Sequence, residues 1–173
     1  MQSVTPVLWF DGNAVDAARL WTSVIPNSRI LTDIPYPEGG DKGDPGTVMV
    51  VDFELDGRRY AGLNGGPQFP FSECVSLQVT CDDQAEVDRI WAALLEGGGS
   101  ESQCGWLKDR FGFSWQVVPK RLFELFGDPD PQVVARVNQR MVKLDVAALE
   151  AAASGATGAT GEAGATASDP TPA

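Results

Sequence analysis

The same order of elements is written twice in this chain, at an offset of about 70 residues. In the first copy, Val4 to Phe10 is an apolar run of β-branched and aromatic residues closed by Asp11-Gly12, which predicts a strand and a turn. A helix follows, with Asn13 as its cap, Asp16 three residues on, and Ala14, Ala17, Ala18, Trp21, Val24 and Ile25 recurring along one face until Pro26-Asn27. Ser28 to Ile34 predicts a second strand, and the Pro- and Gly-rich stretch Pro35 to Gly46 predicts a loop. Thr47 to Leu55 and Arg58 to Asn64 flank Asp56-Gly57, a dipeptide suited to the positive φ angles of a tight hairpin, with Met49, Val51, Phe53 and Leu55 facing one way.

The second copy begins after a connector, Gly65 to Ser72. Val75 to Cys81 predicts a strand, and Asp82-Asp83 with Glu86 caps a helix whose apolar face is Val87, Ile90, Trp91, Leu94 and Leu95. Gly97-Gly98-Gly99 ends that helix. Cys104 to Pro119 then predicts a β-hairpin with one buried face and its polar tip at Asp109 to Gly112. Each copy carries a tryptophan, Trp21 or Trp91, about ten residues after its acidic cap.

After Pro119 the pattern is helical: Lys120 to Phe126, a helix capped by Asp130 with Val134, Val137 and Met141 inward, and a short one from Asp145 with Val146 and Leu149. From Ala153 to Ala173 the chain is mainly Ala, Gly, Thr, Ser and Pro, which cannot offset its ordering entropy by burial and predicts disorder.

With 173 residues, 43% of them hydrophobic, the chain suits one compact domain. Thirteen basic against 24 acidic residues give a net charge of −11, a field that repels nucleic acid and anionic membranes. Three cysteines at no zinc-like spacing, and no basic-then-apolar leader, predict free thiols and a cytoplasmic location. No apolar run reaches the roughly 20 residues that cross a bilayer. Neither Gly39-Gly40 nor the Gly97 triplet has the pattern of a phosphate loop.

Three motifs, TPVLWFDGNAVDAARLW, GLNGGPQFPFSECVSLQV and SQCGWLKDRFGFSWQVVP, followed by KLDVAALEAA, resemble the PhnB-like family, often labelled 3-demethylubiquinone methyltransferase-like, of the glyoxalase/bleomycin-resistance/dioxygenase (vicinal oxygen chelate) superfamily. The resemblance runs from residue 3 to about residue 152. It implies an α+β fold of two βαβββ modules, near 3–66 and 73–119, within a domain at 1–126, followed by a helical extension at 127–152 and the tail at 153–173. It also implies curved sheets around a small-molecule cleft, commonly completed by a homodimer.

Metal-using members of that superfamily place a His, Glu or Gln on four strands. The matching places here fall at or near Thr5, Asn64, Cys74 or Ser76, and Gln116, while Gln68 stands where relatives often carry His. The chain has no histidine, and none of the four places holds a carboxylate; neutral amides and hydroxyls bind transition metals weakly, so no catalytic metal or other cofactor is expected.

The candidate ligand contacts are Thr5, Trp9, Asn64, Gln68, Ser76, Gln78, Trp106, Trp115 and Gln116. Asn64 before Gly-Gly-Pro also suits a turn, Gln116 also suits a buried polar role, and the three tryptophans suit either core packing or an aromatic wall. Cys74 and Cys104 have no base beside them and read as inert thiols; Asp11, Asp52 and Glu54 read as turn or solvent-facing residues, and Asp109-Arg110 as a hairpin tip. Three functional readings follow: a metal-free binder of an apolar or aromatic molecule, a divalent-metal lyase, isomerase, transferase or dioxygenase, or a sequestering resistance protein.

Overall fold

The computed structural model describes residues 4–39, 43–137 and 142–155. The first copy contains β1 (Val7–Phe10), α1 (Ala14–Val24), β2 (Arg29–Pro35), β3 (Val48–Leu55) and β4 (Arg58–Asn64), in a sheet ordered β1-β4-β3-β2. The second contains β5 (Ser76–Cys81), α2 (Gln84–Leu95), β6 (Ser100–Glu101), β7 (Trp106–Lys108) and β8 (Ser114–Pro119), ordered β5-β8-β7-β6. In both, the first strand pairs parallel to the last and the remaining pairs are antiparallel. The duplicated order of elements read from the sequence is observed, and its topology is the βαβββ module that the resemblance implied. Among the described residues three helices follow: α3 (Lys120–Phe126), α4 (Pro131–Val137) and α5 (Val146–Ser154).

Local chemistry explains most boundaries. Asp56 and Gly57 take φ of 47° and 73°, and positive φ at both central positions is what a two-residue hairpin between twisted strands needs. Asp83 accepts a hydrogen bond from the Glu86 amide at 2.9 Å while the Glu86 carboxylate receives the Asp82 amide at 2.9 Å, so the expected cap of α2 forms. Asp145 caps α5 in the same way through Ala148.

Four expectations need correction. β1 starts at Val7, because Val4 is almost fully exposed and has no sheet to cover. Asn13 makes no side-chain cap; Asn64, from the end of β4, caps α1 instead. A two-residue strand, β6, follows the glycine triplet. Ala153 and Ser154 belong to α5 rather than to a tail. Met141 and residues 156–173 lie outside the described residues.

The core is shared. Val51, Phe53 and Leu55 of β3 point inward at every second position, with Met49 half-buried on the same side. They meet Trp21 of α1, which packs in turn on Phe113 and Trp115 of the second half at centroid distances of 5.1 and 5.3 Å. Val87, Ile90, Trp91 and Leu94 of α2 close the same cluster. Each sheet therefore turns its inner face to a common helix and aromatic layer and its other face outward. Leu125, Val137 and Leu149 form a separate small cluster among α3, α4 and α5. That cluster is tied back to the second half through Gln84, which binds the Leu144 carbonyl and the Val146 amide.

Candidate functional site

Alternation along β1 sends Leu8 and Phe10 into the core and leaves Val7 and Trp9 on the outer face. The register continues Trp9 through Leu63 and Val50 to Ile34, an apolar row across all four strands of the first sheet. Trp9 is fixed at two points. Its indole Nε1 donates to the Gly66 carbonyl at 2.7 Å, and its ring lies so close to Gly65 that a Cβ there would sit 2.2 Å from a ring atom. Only glycine admits that approach. Phe69, 63% exposed, meets Trp9 edge-on at 4.9 Å between centroids.

This aromatic wall, the N-terminal end of α1 and the loop residues Tyr36, Pro37, Gly43 and Asp44 border an open cavity of about 1140 Å³. The loop is held at its base: the Tyr36 amide donates to the Thr47 carbonyl at 2.8 Å, and the Tyr36 hydroxyl donates to the Asn64 carbonyl. A smaller hollow of about 330 Å³ shares Trp9, Asp11, Gly66 and Phe69 with the cavity and runs on to Lys108, Phe111 and Gly112 of the second half.

Of the residues singled out in the sequence, Trp9, Asn64 and Gln68 border the cavity. Asn64 spends a hydrogen bond from each amide atom inside the fold: its Oδ1 accepts from the Ala14 amide and its Nδ2 donates to the Val48 carbonyl, both at 2.9 Å. Gln68 is exposed and makes no side-chain hydrogen bond among the described residues. Thr5 is half-buried ahead of β1 and does not border the cavity.

Gln78, Gln116 and Trp106 lie side by side across the second sheet, and Gln116 Nε2 donates to Ser76 Oγ at 2.8 Å. This cluster is real, yet none of its four members borders either hollow. Trp115 is a correction: it is 1% exposed inside the shared core, so it faces no ligand. The places that the resemblance assigns to metal ligands thus hold the half-buried Thr5, the hydrogen-bonded Asn64 amide, either the exposed Cys74 thiol or the Ser76 hydroxyl, and the Gln116 amide paired with Ser76. Neutral amides and hydroxyls among them bind a divalent metal weakly. Among the described residues no three His, Cys, Asp or Glu side chains are grouped to hold one.

The buried group missed in the sequence is Asp109, 3% exposed. Its Oδ2 accepts both the Trp21 and Trp115 indoles, at 2.8 and 2.9 Å, and its Oδ1 accepts the Phe111 and Phe113 amides. Burial pushes its carboxyl above the ordinary value, against the pull of those four bonds. An Asp opening a turn and binding the amide two residues on was a legible signal; the second tryptophan, from the other half, was not. Elsewhere, burial pushes the Cys81 thiol up to about 12, which leaves it inert, and hydrogen bonding to Lys108 holds the exposed Glu73 carboxyl below its usual range. Asp52 and Glu54 are paired with Arg59 and Arg29 on the outer sheet face.

A family model described as 3-demethylubiquinone-9 3-methyltransferase matches residues 2–118, the span of both sheets. The chain belongs to that PhnB-like family. The PhnB protein from Bacillus cereus is 30% identical, with 68% of this chain and 99% of that one aligned at a TM-score of 0.61. A Pseudomonas aeruginosa protein shares the fold at 22% identity and a TM-score of 0.56, covering 69% of this chain and 98% of its own. A glyoxylase/bleomycin resistance protein/dioxygenase domain from Frankia sp. EAN1pec aligns over 69% of this chain and 92% of its own at 15% identity and a TM-score of 0.43. No curated protein matches. The PhnB-like family places the chain in the vicinal oxygen chelate superfamily, as its motifs implied, and leaves α3 to α5 beyond the matched span. Among the described residues no helix is long and apolar enough to cross a membrane.

Proposed function

We propose that this PhnB-like protein binds a small, partly aromatic molecule in the cavity beside Trp9, without a divalent metal, and that it works as a homodimer. The carrying observation is the pre-set wall of Trp9 and Phe69 at the mouth of a 1140 Å³ space: rigid aromatic surface gives contact area at little ordering cost. Neutral donors at the superfamily's four ligand places support the metal-free part of the reading. The dimer is supported by the outward-facing sheets. Ser76, Gln78, Trp106 and Gln116 project from the second sheet away from the first half's cavity. A second copy laying that sheet over the apolar row of Trp9, Leu63, Val50 and Ile34 would unite the two halves of the site.

Methyl transfer is not part of this reading. Enzymes of that kind usually hold their donor on a Gly-rich turn after the first strand of an alternating α/β sheet, and here β1 leads through Asp11-Gly12-Asn13 into two separate antiparallel-rich sheets.

Native mass spectrometry on protein purified without chelator tests all three parts at once. The expected result is a dimer carrying an organic molecule and substoichiometric metal. Stoichiometric Mn, Fe, Ni or Zn would overturn the metal-free reading, and a strict monomer would overturn the shared site.

A further inference from the structure

The charges around the cavity are uneven. Asp11, Asp16 and Asp44 border it against a single cation, Arg19, which already lies 3.5 Å from Asp16. Asp11 and Asp44 have no ion-pair partner among the described residues. Asp11 stands where the cavity and the smaller hollow meet, beside the aromatic wall. The one cation of the smaller hollow, Lys108, is held by Glu73 at 2.6 Å.

We propose that the cavity selects organic cations: flat amines or quaternary ammonium compounds whose positive nitrogen lies near Asp11 and whose ring packs against the wall formed by Trp9 and Phe69. This rests on the cavity being the binding site and names the class of molecule it takes. An aromatic face attracts a cation through its quadrupole, and a carboxylate beside it adds a charge-assisted contact. An anion in the same place would meet three carboxylates and one engaged guanidinium. The chain's net charge of −11 adds a field that gathers cations and repels anions at a distance. Gln68 offers an amide oxygen for an N–H of the same ligand.

The test is a calorimetric titration with three flat probes of matched size, at mildly alkaline pH: N-methylquinolinium, neutral quinoline and quinoline-2-carboxylate. N-methylquinolinium is expected to bind at least about fivefold more tightly than quinoline, the scale of one exposed charge pair, and to weaken with added salt. Asp11→Asn should erase that ratio while leaving quinoline binding as it was. Equal affinity for cation and neutral probe, or tightest binding of the carboxylate, overturns the cation preference and leaves the cavity as the site. No heat or tryptophan quenching with any of the three overturns the cavity as the site, and this inference with it.

Discussion

Asp109 shows how one side chain joins the two halves. Trp21 comes from α1 and Trp115 from β8, and a single carboxylate oxygen receives both indoles. Asp109→Ala leaves two indoles and two backbone amides without partners, and should cost at least about 4 kcal/mol in urea unfolding, each orphaned buried donor costing roughly 1–3 kcal/mol. Asp109→Asn keeps the shape but turns an amide N–H toward donors, so about 2 kcal/mol is expected. The pH dependence has a definite sign. Because burial raises the folded value above 3.8, the native state binds a proton the unfolded chain has lost. That contribution is fully present below 3.8 and disappears as pH rises through the folded value. The stability difference between wild type and Asp109→Asn should therefore fall with rising pH across the acid range, and a rising difference would show that the four hydrogen bonds outweigh burial.

At the level of elements, the two helices begin by different means although their sequences look alike. α2 is capped from within by Asp83, whereas α1 borrows Asn64 from a strand 50 residues away. Asp83→Ala should cost about 1 kcal/mol, the ordinary value of a cap. Asn64→Ala loses the cap and also the bond to the Val48 carbonyl, so about 2–3 kcal/mol is expected in the same denaturant titration. Gly65→Ala addresses the cavity wall rather than stability alone. Its Cβ cannot coexist with the Trp9 ring, so Trp9 must swing away; the expected outcome is altered tryptophan emission and at least about fivefold weaker binding of N-methylquinolinium, one aromatic contact being worth roughly 1 kcal/mol. Unchanged emission would mean the wall is not fixed by that contact.

For the molecule as a whole, the shared aromatic layer predicts that the two modules unfold together. Far-UV circular dichroism and tryptophan fluorescence should report coincident denaturant transitions in the wild type. Trp21→Ala removes the side chain that reaches across to Phe113, Trp115 and Asp109, and should separate the transitions or broaden them. The equivalent change at Trp91, whose indole binds Glu101 within its own half, should lower stability without separating them.

Much of this was legible along the chain. Periodicity marked both helices, Asp56-Gly57 marked the hairpin of β3 and β4, Asp83 and Asp145 marked two caps, and the doubled order marked two like sheets, because each of these depends on neighbours within a few residues. The candidate site was legible only in pieces. Trp9 and Gln68 do border the cavity, but a strand tryptophan looks the same in sequence whether it faces a cavity or a core, and Trp115 went to the core. The sequence by itself determined which segments are strands and helices, the repeat, the family and the absence of imidazole. Only the tertiary structure decided that Asn64 serves α1, that Asp109 is buried between two indoles, and that the Gln116 cluster lies apart from the cavity. Those outcomes depend on which surfaces of the two halves are pressed together, and contacts between residues tens of positions apart leave no local pattern to read.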